Sequence, residues 1–179
     1  PAPGQAANPD TVVAVGDGGA AASHPAALKV RTLQLCRRVR SFGVYDTFEG
    51  TTFLAGHDQK VVVYVELDNF KSVRNAQGIY EVKLTQDVQL YNDADGLKVW
   101  SEPAVDISDQ SRNQRRDFFM VETVQLPARL SVGKYAMKVR VRDRQGDCVD
   151  EAAVPLNIVA DPTLLSGVPT ERQGGAGGN

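Results

Sequence analysis

A two-residue alternation of apolar and polar side chains runs through the middle of this chain and leaves little room for a helix. In Tyr80–Tyr91 the even positions are Tyr80, Val82, Leu84, Gln86, Val88 and Leu90, against Glu81, Lys83, Thr85, Asp87 and Gln89 on the other face. Only Gln86 interrupts the pattern, and successive strand side chains point to opposite faces, so this is a half-buried strand. Tyr135–Asp143 repeats it, with Tyr135, Met137, Val139 and Val141 on one face and Lys138, Arg140 and Arg142 on the other. Lys60–Asp68 carries Val61, Val63, Val65 and Leu67 at odd positions, and Val62 and Tyr64 make its first half apolar on both faces. A strand apolar on both faces is expected to be central.

Weaker strands fill the gaps. Leu28–Leu35 changes phase between Val30 and Leu33, the mark of a bulge or a change of sheet. Leu97–Trp100 follows the turn Asn92-Asp93-Ala94-Asp95-Gly96, and Phe118–Leu126 alternates imperfectly. Val149–Val159 closes the set, and Pro155, lacking an amide donor, must face solvent or an edge. Short turns fall at Asp95-Gly96, Val132-Gly133 and Gln145-Gly146. The expected fold is all-β: an immunoglobulin-like two-sheet antiparallel sandwich of about seven strands with disordered tails. Tyr135, opening the penultimate strand after Leu126-Pro127, stands where such domains bond a tyrosine back to the preceding corner.

Three segments follow. Residues 1–27 hold nine Ala, four Pro and four Gly and no aromatic, too little apolar surface to offset the ordering entropy of roughly 1–2 kcal/mol per residue. All twelve aromatics (six Phe, five Tyr and one Trp) lie between Phe42 and Tyr135, inside a folded unit at 28–160. Residues 161–179 form a polar, Gly-rich tail. The leader reads either as a spacer to another domain or an anchor, or as a frayed terminus; an extracytoplasmic place is expected. Net charge is −2, which argues against nucleic acid, and no apolar run approaches the roughly 20 residues of a membrane span.

The runs Val39-Arg40-Ser41-Phe42-Gly43-Val44-Tyr45, Val63-Tyr64-Val65-Glu66-Leu67-Asp68-Asn69-Phe70, Arg115-Arg116-Asp117-Phe118-Phe119 and Leu126-Pro127 through Gly133-Lys134-Tyr135 resemble a group of uncharacterised bacterial proteins of Planctomycetes type. The resemblance covers nearly the whole core in the same order. It implies a sandwich-like domain behind a low-complexity N-terminal region, and no activity, cofactor or catalytic residue. Ala55-Gly56-His57-Asp58 stands where a Pro-Gly turn belongs, with Gly56 keeping the turn.

Residues suited to chemistry are sparse. Of two histidines, His24 is in the leader and His57 in a turn, which supplies neither a zinc ligand set nor a positioned catalytic base. No metal or cofactor is expected. Cys36 and Cys148 allow one disulfide or two free thiols; parallel first and last strands would put the sulfurs at opposite ends, which favours thiols. Asn92, Asp93 and Asp95 resemble half a calcium loop without its distal Glu, and a polar turn accounts for them. Asp143, Asp147 and Asp150 flank the last hairpin and read as solvated turn acids.

Arg112, Arg115 and Arg116 are the sharpest charged feature, able to hold a carboxylate or phosphate and so to mark an anionic or protein partner; the bland reading is a solvated loop that discourages aggregation. Arg37, Arg38 and Arg40 form a similar run. Tyr91 with Trp100 raises sugar stacking, against a core role for the tryptophan. Among strand acids, Glu66, Asp68 and Glu81 are the candidates for a paired hydrolytic site. The preferred expectation is a non-catalytic interaction or accessory module, with a carbohydrate-binding sandwich and an acid-residue hydrolase as the alternatives.

Overall fold

The computed structural model describes residues 27–48 and 50–165, so His24, nearly all of the leader and most of the C-terminal tail lie outside the described residues. Eleven strands run in chain order: β1 (Lys29–Ser41), β2 (Val44–Thr47), β3 (Thr52–Leu54), β4 (Gln59–Asp68), β5 (Val73–Arg74), β6 (Tyr80–Asn92), β7 (Lys98–Ser101), β8 (Val105–Ser111), β9 (Phe118–Leu126), β10 (Gly133–Asp143) and β11 (Cys148–Val159). A short 3-10 turn, Pro162–Leu165, follows. The seven expected strands are all present. The additional ones, β2, β3, β5 and β8, are short or polar, which is why alternation did not reveal them.

One sheet has the order β2-β1-β4-β9, and the other β3-β11-β10-β6 with β5, β7 and β8 also on β6. Pairing is antiparallel except between β11 and β3. β4, apolar on both faces, is central as its sequence requires. Its odd residues Val61, Val63, Val65 and Leu67 join Val82, Leu84, Val88 and Leu90 of β6 and Met137, Val139 and Val141 of β10 in one core. The phase slip in β1 is a register shift between Val30 and Thr32. Tyr135 closes the corner, its hydroxyl donating to the Ser131 carbonyl at 2.8 Å.

The two sheets differ in width. β7 and β8 share one lane along β6, and β5 continues the β10 lane where Asp143 ends it. The wider sheet therefore has five lanes (β3, β11, β10, β6 and β8 with β7), against four in the other. On one flank β1 meets β11, where the Val30 amide donates to Asp150 Oδ2 at 2.7 Å. On the other, β9 lies over β6, because Gln86 of β6 donates its side-chain amide to Glu122 of β9. With these two contacts setting the alignment, the strand orders place the β8 lane beyond β9, the last strand of the narrower sheet.

Candidate functional site

The open flank has a floor, a wall and a mouth. Residues directly opposite in a strand pair point to the same face. Val82, Leu84 and Gln86 face the core, so their β8 partners Asp109, Ile107 and Val105 face the same way. Trp100 of β7, opposite Leu90, joins them. Ile107 and Trp100 are half-buried against the core, whereas Val105 is 42% exposed. The wall is the free edge of β9, which among the described residues pairs with β4 alone. Beside its first residues lies a cleft of about 250 Å³ lined by Phe42, Asp109, Arg115, Asp117, Phe118 and Phe119.

The edge of β9 has no proline, lysine or arginine along nine residues. Its one charge, Glu122, points inward between the sheets. Burial pushes the Glu122 carboxyl above the usual carboxylate range; the Gln86 hydrogen bond opposes this, and Glu102 and Asp87 add to the rise. Gln86 is 1% exposed, and its Oε1 has no hydrogen-bond partner among the described residues. Acceptors therefore outnumber donors at the centre of this flank.

On the outer face of the four-stranded sheet the polar groups are matched. The Tyr64 hydroxyl donates to Glu66 Oε1 at 2.6 Å and accepts from the Gly43 amide at 2.8 Å. Arg31 and Thr32 donate to Glu66 Oε2 at 2.7 and 2.9 Å. Burial disfavours the Glu66 charge, but these hydrogen bonds outweigh it and hold the carboxyl below its ordinary value. Burial, with Glu66 alongside, pushes the Tyr64 hydroxyl up to about 12. Gly43 makes the turn possible with φ of 67°. Above this network sit Phe42 and Phe119, edge to face at 5.9 Å, with Val44 and Val121 exposed nearby in sequence.

The arginine trio is brought to the N-terminal mouth of β9 but is not uniform. Arg115 is engaged, its Nε donating to Asp109 Oδ2 at 2.6 Å. Arg112 and Arg116 are exposed, with no ion pair among the described residues. Of the second run, Arg40 pairs with Asp46 and Arg37 covers the Phe48 ring.

The proposed sugar-stacking pair is not assembled. Tyr91 and Leu90 are neighbours in one strand and point to opposite faces, so Tyr91 lies on the outer face while Trp100 lines the inner one. Lys138 covers the Tyr91 ring at 4.7 Å. The paired-acid site fares no better. Glu66 and Asp68 share Arg31, at 2.7 and 3.4 Å, and Glu81 is on the outer face of the other sheet beside Lys83. Hydrogen bonds from Lys83 and Gln110 hold the Glu81 carboxyl below its ordinary range, as those from Tyr64, Arg31 and Thr32 hold Glu66.

The remaining candidates are occupied locally. Asn92 Oδ1 and Asp95 Oδ1 accept from the Ala94 and Leu97 amides within their turn, and His57 is exposed in its own. Among the described residues no group of three or more potential metal ligands is assembled. Both cysteines are free. Cys36 lies six residues along β1 from Val30, which is about 20 Å of strand, while Cys148 is two residues from Asp150 at the Val30 end. Burial, with Asp46 nearby, pushes the Cys36 thiol up to about 11. Asp143, read as a solvated turn acid, is instead fully buried and accepts the amides of Lys71, Gln145 and Gly146.

Sequence reasoning missed Gln86 and Glu122 as a pair. The signal was present: Gln86 is the lone polar residue on an apolar face, and Glu122 the lone charge of β9.

No family model and no curated protein matches this chain. Solved structures give distant likenesses in sandwich architecture. A Bacteroides uniformis β-glucuronidase aligns at 9% identity over 73% of this chain, with a TM-score of 0.39, and the chain spans only 12% of that protein. The C-terminal domain of wzt aligns at 11% identity over 74% of each chain, with a TM-score of 0.42. Spo0M, a sporulation control protein from Bacillus subtilis, aligns at 14% identity over 76% of this chain and 51% of its own, also at 0.42.

Proposed function

We propose that this domain is a non-catalytic interaction module, working outside the cytoplasm, that takes an extended segment of a protein partner as an added strand at the free edge of β9. The observation that carries the reading is the nine-residue β9 edge, unpaired on one side among the described residues and without an outward charge, beside a lane of the opposite sheet that no described strand covers. Unpaired strand edges are templates for pairing, and proteins shorten or charge those they do not use. The other edges are short or carry an outward charge: β2 and β3 have four and three residues, and β8 carries Asp106 on its outer face, paired with Arg144; β9 has only the inward Glu122. Arg112 and Arg116 stand where the added segment would enter, free to take an acidic group. We further place the chain with the Planctomycetes-type sandwich proteins that it resembles in sequence.

The test is capture of partners from the source cells by the intact domain and by a Val121→Lys/Thr123→Lys variant. Both positions are exposed, so the melt should hold within about 0.5 kcal/mol. The variant should lose the partner that the intact domain retains. Identical partner profiles would remove the β9 edge as the recognition element.

A further inference from the structure

We infer that the segment taken up beside β9 presents a basic side chain, lysine or arginine, inward against Glu122 and Gln86, with apolar side chains to either side. This rests on the β9 reading above and specifies its partner. Glu122 is level with Gln86 and hence with Val105, the exposed part of the lane floor. A strand added to β9 puts alternate side chains over that floor, so the apolar requirement comes from Ile107, Val105 and Trp100.

The basic requirement comes from Glu122, which an incoming strand must pass. An inward charge at an edge normally repels added strands, because an uncompensated buried carboxylate is costly. A strand carrying the opposite charge at that position removes the penalty, so the same residue that rejects most segments selects one kind. Neither Glu122 nor its neighbours Glu102 and Asp87 is ion-paired among the described residues. The buried Gln86 Oε1 supplies an independent demand for a donor. An ammonium has three donors and a guanidinium five, enough to reach both the carboxylate and this carbonyl oxygen.

The test uses the full chain and two synthetic peptides, Val-Thr-Val-Thr-Lys-Thr-Val-Thr-Val and its counterpart with Glu in place of Lys. Titration followed by amide NMR should move the β9 signals and give the lysine peptide about ten-fold tighter binding or better, one charge-assisted contact. In Glu122→Gln the two peptides should bind within about two-fold of each other, with the domain still folded by its melt. Equal binding to the intact chain, a lysine preference that survives Glu122→Gln, or unmoved β9 signals would each overturn the inference. If the Val121→Lys/Thr123→Lys variant still loses its natural partner in that event, the β9 reading stands and only the basic residue falls.

Discussion

The β10–β11 turn and the centre of the β8–β9 flank treat their acids in opposite ways. Around the turn every carboxylate has donors. Asp143 takes three backbone amides, Asp150 takes the Val30 amide and Asp147 takes Arg142. These bonds tie the hairpin to β1 and to the link after β4, so the turn is a joint between the sheets. At the centre of the flank, among the described residues, Glu122 has one amide donor and Gln86 Oε1 has none. A buried acceptor without a donor costs roughly 1–3 kcal/mol, which makes matched groups a structural device and unmatched ones a place where something else is wanted. Stability should therefore be concentrated at the turn and recognition at the flank.

Asp143→Ala is the severest way to break this contrast. It strands three backbone donors and empties a fully buried site, so unfolding free energy should fall by about 3–5 kcal/mol in denaturant titration. A loss under about 1 kcal/mol would mean that the turn is not the joint described. Gly146→Ala probes the same place by volume. A Cβ there would lie 2.9 Å from Asp143 Oδ2 and 3.2 Å from Cys148 Sγ, so the carboxylate must shift from its donors. The expected cost is about 1–3 kcal/mol.

Much of this contrast was legible in the sequence, but unevenly. The periodicity of β4, β6 and β10 was enough for fold class, the central strand and the core face, because burial on one face is written into every second residue. Tyr135 and the slip in β1 were legible for the same local reason. The width mismatch was not, because β8, Val-Asp-Ile-Ser-Asp-Gln-Ser, carries too few apolar residues to register as a strand and its lane decides which flank is open. Nor does alternation say whether Asp143 will be buried by a loop folding back from sixty or more residues away, as Lys71 does. Tyr91 and Trp100 misled because proximity in sequence was taken without the register that places them on opposite faces.

Glu66 belongs with the turn in being matched, although it lies on an outer face. Its carboxyl is held low in the folded state, so its stabilisation is present above the unfolded value near 4.5 and is lost as pH falls through the lower folded value. Glu66→Gln should cost about 1–2 kcal/mol at pH 7, the net value of hydrogen bonds to a charged group, and should flatten the acid limb of stability against pH. A melt followed from pH 7 to 3 reads both.

Glu122 should behave in the reverse sense, with the smallest effect. Its carboxyl is held high by burial, so the folded state binds a proton more readily than the unfolded chain does. Stability then rises as pH falls from neutral through the folded value, and the gain is complete once pH is below the unfolded value of 4.5. Glu122→Gln removes the charge while keeping the shape and an acceptor for the Gln86 amide. It should raise the melting temperature at pH 7, by an amount worth less than about 1 kcal/mol, because the carboxyl is only half-buried. Well below pH 4.5 the pH dependence that Glu122 adds should level off, since its carboxyl is then protonated in folded and unfolded chain alike. A residue kept for stability would give the opposite result, a fall at pH 7. A rise at pH 7 that shrinks in acid identifies Glu122 as a charge the fold carries at its own expense, as a residue retained for the flank's partner must be.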